Sequence, residues 1–349
     1  MEPLRWSGSS CAAEGAQFRS AMLVFVLRRL IQACIVMLVV GFIAFSLFQY
    51  VGDPVLSMLG QDATAEQREQ LREDLGLNEP FYVQFLHFAS NAIQGEFGVS
   101  YRQGRKVSEL LAERFPATLE LASCAGLLAL GAGIPMGVYT ALRRNSLLSQ
   151  FFMGISLLGV SLPVFLLGIF LILLFAVLLG WLPSYGRGEV LRWQGWSFGL
   201  LTTDGLKHLV LPSITLALFQ IALIMRMVRA EMLEVQRTDY IKFARARGLR
   251  ERTVNFSYAL KNTLVPVITI VGLQLGSLIA FAIVTETVFQ WPGMGLLFIQ
   301  SVQTADIPIM AAYLVMISLV FVVINLTVDL LYFAVDPRLR VERPTSAKA

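Results

Sequence analysis

Charge is scarce in this chain. Asp, Glu, Lys and Arg make up 15% of its 349 residues, where a soluble domain carries about a quarter. Histidine is scarcer still. His87 and His208 stand far apart, which argues against a metal cluster made by this chain alone. Its cysteines, Cys11, Cys34 and Cys124, form no CxxC and no plausible pair; Cys34 and Cys124 fall in apolar runs and read as small packing residues. No GxxxxGK[ST] phosphate loop, HExxH or GxSxG occurs, so the chain has no means of hydrolysing ATP and no recognisable hydrolase set. A net charge of +4 is too mild to suggest nucleic acid. No cleavage-type site comes after the first apolar run. Residues 1–21, polar and small, read as a disordered extension rather than a signal peptide.

What is abundant is apolar surface, at 56% of residues. A membrane span needs about 20 mostly apolar residues. Six segments qualify: 30–51, 117–142, 148–182, 209–225, 264–285 and 308–331. The third is too long for one upright helix. It can tilt, kink at Pro163, or end in an interfacial turn near Trp181-Leu-Pro183.

Basic residues set the orientation. Arg28 and Arg29 precede the first span, and Arg143 and Arg144 separate the second from the third. The connection 226–261 holds nine Lys or Arg against four acids, and the tail carries Arg338, Arg340 and Arg343. With six spans all four stretches fall on one side, the cytoplasmic side by the positive-inside rule. Both termini are then cytoplasmic. A seventh span would place the most basic loop outside.

The organisation expected is an extension (1–21), a first span (22–51), a long external region (52–116), a membrane domain (117–333) and a cytoplasmic tail (334–349). In the external region Thr64-Ala-Glu-Gln67 reads as a capping box opening a helix that runs to Leu75–Gly76. Phe81 to Phe88 has an apolar face at helical spacing. The other external stretches, 183–208 and 291–307, read as short loops.

Three acids lie near span ends: Glu120 and Glu286 at outer ends, Asp329 at an inner end. Each can be a proton, substrate or gate group, or an interfacial group bonded to a neighbouring helix end. None sits at a span centre to relay protons, so the energy source is expected elsewhere.

The cytoplasmic stretch Thr238-Asp-Tyr-Ile-Lys-Phe-Ala-Arg-Ala-Arg-Gly-Leu249 is where force can enter. Thr238 or Asp239 can cap a helix start, and Gly248 can end it in a left-handed residue. About nine residues between them make a helix of roughly 13 Å. Tyr240, Phe243, Ala244 and Arg247 share one face by spacing. Small Ala244 and Ala246 permit close approach, and Lys242, Arg245 and Arg247 can pair with a partner's acids. The alternative is an interfacial helix with its cations near lipid phosphates.

Asp239-Tyr-Ile-Lys-Phe-Ala-Arg-Ala-Arg-Gly-Leu249, with Tyr258-Ala-Leu-Lys-Asn-Thr-Leu-Val-Pro-Val267 after it, resembles the cytoplasmic EAA loop (238–267) of bacterial ABC importer permeases in the oligopeptide/dipeptide/nickel branch. Further segments match in order: Leu27-Arg-Arg-Leu30, Gly52-Asp-Pro54, Leu75-Gly-Leu77 with Pro80, and Gly95-Glu-Phe-Gly98 with Ser100. Pro116-Ala-Thr-Leu-Glu-Leu121, Gly133-Ile-Pro-Met-Gly137, Thr285-Glu-Thr-Val-Phe289 with Trp291-Pro-Gly-Met-Gly295, and Asp329-Leu-Leu-Tyr332 with Asp336-Pro-Arg338 complete the set. Lys242-Phe-Ala244 stands where the general pattern has Glu-Ala-Ala, a form typical of the peptide branch. The long first external loop is most similar to dipeptide-type permeases.

That resemblance implies an all-α membrane protein with six transmembrane helices, the type I ABC importer permease fold and a cytoplasmic coupling helix. It implies a permease subunit for short peptides in the bacterial inner membrane, with nickel-chelate or glutathione-like cargo as alternatives. The implied partners are a second homologous permease, two ABC ATPase subunits that hold ATP and Mg, an extracytoplasmic substrate-binding protein and membrane lipids. This chain itself would bind no cofactor. Coupling would fall to Asp239, Tyr240, Phe243, Ala244, Arg245, Ala246, Arg247, Gly248 and Leu249, with Tyr240, Phe243 and Ala244 docking. Glu120, Glu286 and Asp329 are the pathway or gate candidates. A self-sufficient secondary transporter, the competing class, would need titratable groups and broken helices at the midplane.

Overall fold

The computed structural model describes residues 26–46, 55, 64–74, 78–193 and 195–335. The extension (1–21), Gly52-Asp-Pro54, Leu75-Gly-Leu77, Asp336-Pro-Arg338 and most of the tail lie outside the described residues.

Helix α1 (Val26–Ser46) is long and apolar enough to span. Short α2 (Ala65–Asp74) starts at the expected capping box: Thr64 N–H donates to Gln67 Oε1 at 3.1 Å, and Gln67 N–H donates to Thr64 Oγ1 at 3.3 Å. Helix α3 (Phe81–Ile93) lays its apolar face on α1. There Phe42 and Phe45 meet Phe81, Phe85 and Phe88 through ring contacts of 5.3–5.8 Å.

Helix α4 (Val107–Leu142) begins ten residues before the predicted span and carries Pro116 inside it. The third segment takes the kink. Helix α5 (Leu147–Ser161) and helix α6 (Val164–Leu171), extended by a π-helical stretch to Leu178, are bent by 115° at Leu162–Pro163. Pro163 lacks the N–H the ladder needs, and it forces Leu162 into an extended conformation, ψ 137°.

The predicted plain loop 183–208 contains an antiparallel ribbon, β1 (Leu191–Trp193) and β2 (Trp196–Phe198). Helix α7 (Thr203–Val235) comes next, capped by the Thr202 hydroxyl, which accepts from Gly205 N–H at 3.0 Å. Helix α8 (Asp239–Ala246) is the predicted short basic helix. The chain then rises through a turn at Glu251–Thr253 and a π-helical stretch, Val254–Ala259, into α9 (Leu260–Val288). The other predicted plain loop, 291–307, contains α10 (Met294–Gln303), and α11 (Ile307–Val335) is the last span. Counting the bent pair as one gives six helices long and apolar enough to span among the described residues.

The core lies where α4, α7 and α9 meet, around Ala125, Ala129, Ile224, Val228, Val267 and Leu278. Glycines set the spacing of α4 and α7. A Cβ at Gly137 would lie 2.6 Å from Val228 Cβ and 2.8 Å from the Met225 carbonyl oxygen, closer than packed atoms come. A second cluster, with Leu111, Leu297, Ile309 and Tyr313, joins the start of α4 to α10 and α11. The bundle therefore has a basic end, bearing Arg28, Arg29, Arg143, Arg144 and α8, and a far end, bearing the ribbon and α10.

Candidate functional site

At the basic end α7 stops at Val235, and Thr238 turns the chain. Thr238 occupies the N-cap position of α8, but its hydroxyl donates to the Val235 carbonyl at 2.5 Å rather than capping α8. Asp239 instead puts a negative charge in the first turn, where the helix dipole favours it. Its carboxylate pairs with Lys242 at 2.8 Å, and that hydrogen bond and charge hold it below the usual Asp range.

Helix α8 has two faces. Ile241 and Ala244 are buried in the core cluster with Val254, Ala259 and Met232. Ala244 therefore packs against its own chain, and the docking face read from spacing shrinks to Tyr240, Phe243 and Arg247. Ile241, not singled out in the sequence, does the anchoring. Phe243 is 64% exposed, Tyr240 is partly exposed, and Arg245, Ala246 and Arg247 all face outward. The Arg247 guanidinium stands 5.9 Å from the Phe243 ring centre.

Two bonds fix α8 to the first turn of α9 and to the segment leading into it. Asn262 Nδ2 donates to the Tyr240 hydroxyl at 2.7 Å, and Arg245 Nε donates to Glu251 at 3.1 Å. The first joins the two halves of the 238–267 motif. Gly248 ends the helix at φ +75°, its N–H donating to the Arg245 carbonyl at 2.9 Å. That is the left-handed conformation the sequence predicts there. Leu249 then packs against the core.

The three candidate acids are not brought together. Asp329 pairs with Arg29 at 2.9 Å near the basic end, joining α11 to α1. The other two sit at the far end. Glu286 is fully buried. Its Oε1 accepts from the Thr118 hydroxyl at 2.6 Å and its Oε2 from the Leu296 N–H at 3.0 Å. Thr118 in turn accepts from the Met294 N–H at 2.8 Å. The carboxyl thus caps the start of α10 from the end of α9, and Gly293 and Gly295 give it room.

Glu120 is also buried. Oε2 receives Arg187 Nε at 3.0 Å and Nη2 at 2.6 Å, and Oε1 receives the Leu200 N–H at 2.5 Å. Arg187 further donates to the Ser197 hydroxyl and carbonyl, both at 2.7 Å. Trp291 links the two sites. Its indole N–H donates to the Ala117 carbonyl at 2.9 Å, and the Arg187 guanidinium lies 5.7 Å from its ring.

Sequence reasoning missed Arg187, one of three Lys or Arg residues in the stretch 183–208 read as loop. It also missed a neutral polar seam between α7 and α9, where Gln220 Nε2 donates to Ser277 Oγ at 3.0 Å. No charge marks those positions. Nor does spacing give a role to Asn262, which bonds Tyr240.

Known proteins share both the sequence pattern and the fold. Residues 133–341 match the family described as binding-protein-dependent transport system inner membrane component, and residues 22–122 match its N-terminal counterpart. The chain is 37% identical to the dipeptide transport system permease protein DppB of Alkalihalophilus pseudofirmus, over 91% of this chain and 100% of that one. It is 38% identical to DppB of Escherichia coli K12, and 38% to the glutathione transport system permease protein GsiC of that strain. Both matches cover 91% of this chain and 99% of the relative. Solved inward-facing structures of the MetNI methionine ABC transporter share the fold. One has a TM-score of 0.51 at 20% identity, covering 65% of this chain and 96% of that one; another has 0.53 at 21%.

Proposed function

The chain belongs to the family of binding-protein-dependent transport system inner membrane components, and from that premise we propose that it is a permease subunit of an ATP-driven importer for short peptides. It has the type I importer permease fold and is a multi-pass inner-membrane protein. The observation that carries the coupling role is α8 itself, a short helix that buries Ile241 and Ala244 and presents Phe243, Arg245 and Arg247 unburied.

In this reading α8 seats in a groove on an ATPase subunit, and the basic end with both termini faces the cytoplasm. Tyr240, Phe243 and Ala246 fill the groove, while Arg245 and Arg247 meet its acids. Asp239, Gly248 and Leu249 fix the start and end of the helix. ATP and Mg stay on two ATPase subunits. Closure of those subunits pushes α8, and the Tyr240–Asn262 bond and the packed Ile241 pass the movement to α9. A second permease completes the path, and a binding protein delivers cargo at the far end. Glu120 and Glu286 hold that far end together as the path opens and closes; Asp329 ties α1 to the moving bundle.

Short peptides fit the relatives named for dipeptides, and glutathione, itself a tripeptide, is the second cargo supported by a relative of equal identity. The test is reconstitution of the whole transporter in vesicles, with labelled dipeptide and labelled glutathione offered separately. ATP-dependent dipeptide uptake that survives an uncoupler is expected. Glutathione uptake alone would move the assignment to the second cargo. Uptake without ATPase subunits, abolished by the uncoupler, would overturn the importer reading.

A further inference from the structure

The ribbon at the far end has two unlike faces. Its register pairs Leu191 with Phe198, Arg192 with Ser197 and Trp193 with Trp196. Side chains alternate along a strand, so Leu191, Trp193, Trp196 and Phe198 share one face, and Arg192 and Ser197 share the other. The Ser197 face is fastened inward, because Arg187 grips both the hydroxyl and the carbonyl of Ser197. The apolar face is only partly covered. Trp196 stacks on Phe198 at 6.4 Å and meets Phe115 edge-on at 6.1 Å. Leu191 is 51% exposed and Trp193 65%.

A two-stranded ribbon is marginal in water, and uncovered aromatics of this size mark a contact surface. The height of the ribbon says which. It packs at Phe115 and Glu120 of α4, where the apolar run of the second span begins. Its loop leaves the π-helical end of α6 through exposed Leu178, Leu179 and Trp181, and enters α7 through exposed Leu201. Exposed apolar side chains thus run from the end of α6 into the ribbon and on to the start of α7. Trp and Tyr concentrate at headgroup level, where one end of the ring is dry and the other wet.

We propose that this ribbon is an interfacial membrane anchor, with its Leu191–Trp193 face lying in the headgroup–acyl boundary of the far-end leaflet. Its ligand is the phospholipid surface, and the buried Glu120–Arg187 pair sets its angle of approach. The anchor holds one end of the 179–202 connection to the bilayer while the other is pinned to α4.

The assembled transporter tests this in vesicles of phosphatidylethanolamine and phosphatidylglycerol. A photoreactive phenylalanine analogue replaces Trp193, and separately Leu191, with Phe243 as the control position. Illumination should give lipid-mass adducts at 193 and 191, unchanged when excess binding protein is present. Adducts from 193 and 191 to another protein chain, or to solvent alone, would overturn the proposal. Either position alone suffices if the other disturbs folding. The readout needs no uptake, and protein adducts at Phe243 test the coupling reading separately, so the two can fail independently.

Discussion

The two ends of the bundle use charge in opposite ways. At the far end Glu120, Arg187 and Glu286 are buried, and each is engaged by groups of the same chain. At the basic end Arg245 and Arg247 are exposed, held by one bond to Glu251 and one contact with the Phe243 ring. Buried pairs are costly to break because the surviving partner stays desolvated. Exposed pairs contribute little to stability, being solvated and screened. The far end is therefore built to hold a shape, and the basic end to offer groups to something else.

Breaking the far end should give the largest effects. Arg187→Ala leaves Glu120 buried without its cation, and should cost about 3–5 kcal/mol. Unfolding midpoints of the purified transporter in nanodiscs would measure it, with Arg187→Lys expected to recover only part of the loss, since Lys lacks the forked donors. Glu286→Ala strands the Thr118 hydroxyl and the Leu296 amide, and should cost about 3 kcal/mol. Glu286→Gln keeps an acceptor and should cost less. If either alanine variant unfolds at the wild-type midpoint, the far end is not the structural clasp described.

The basic end should respond in function before stability. Gly248→Val must adopt φ +75° with a β-branched side chain, a strain of about 1–2 kcal/mol. Uptake should fall sharply while the chain still inserts and assembles. Normal uptake would remove Gly248 from the coupling device. Arg245→Glu with Arg247→Glu, which also loses the bond to Glu251, should shift stability by only about 1 kcal/mol yet reduce recovery of ATPase subunits on co-purification. Unchanged recovery would place both cations outside the interface and dissolve the contrast between the ends.

The basic end was also the more legible in sequence. Asp239 and Gly248 mark the bounds of α8 because a first-turn acid and a left-handed backbone are local matters that depend on a few neighbours, whereas Thr238 holds the N-cap position without its hydroxyl capping. The capping box at Thr64 was legible for the same reason, and the spans because apolar length is a local count. What could not be read there was which face of α8 turns inward. Spacing put Ala244 with Phe243, and only the packing of Ile241 against Val254 and Met232 separates them. At the far end the partners are remote in sequence: Thr118 with Glu286, Glu120 with Arg187. Nothing local marks Arg187, and the alternation Leu-Arg-Trp, Trp-Ser-Phe around Gly195 is too short to stand out as a ribbon.

The smallest expected effects are protonic, and they sharpen the same comparison. Tyr101, beyond the spans at the far end, is pushed up to about 12, first by burial and then by the Asp306 carboxylate. Asp306 is itself buried and accepts from the Ser100 hydroxyl and from the Tyr101 and Arg102 amides. The raised value means the folded chain holds the phenol proton more tightly than the unfolded chain. That stability is complete below the ordinary tyrosine range near 10, and is lost as pH rises through about 12. Asp239 has the opposite sign. Its lowered value means its contribution is present above the ordinary Asp range near 4, and is lost as pH falls through its lower folded value. Between those limits neither group titrates, so unfolding midpoints should be flat with respect to both. Tyr101→Phe should flatten the alkaline limb and leave the acid limb alone; Asp239→Asn should do the reverse, by a smaller amount, because Asp239 is solvated. An alkaline limb that persists in Tyr101→Phe would show that the far end does not hold this phenol as tightly as its burial implies.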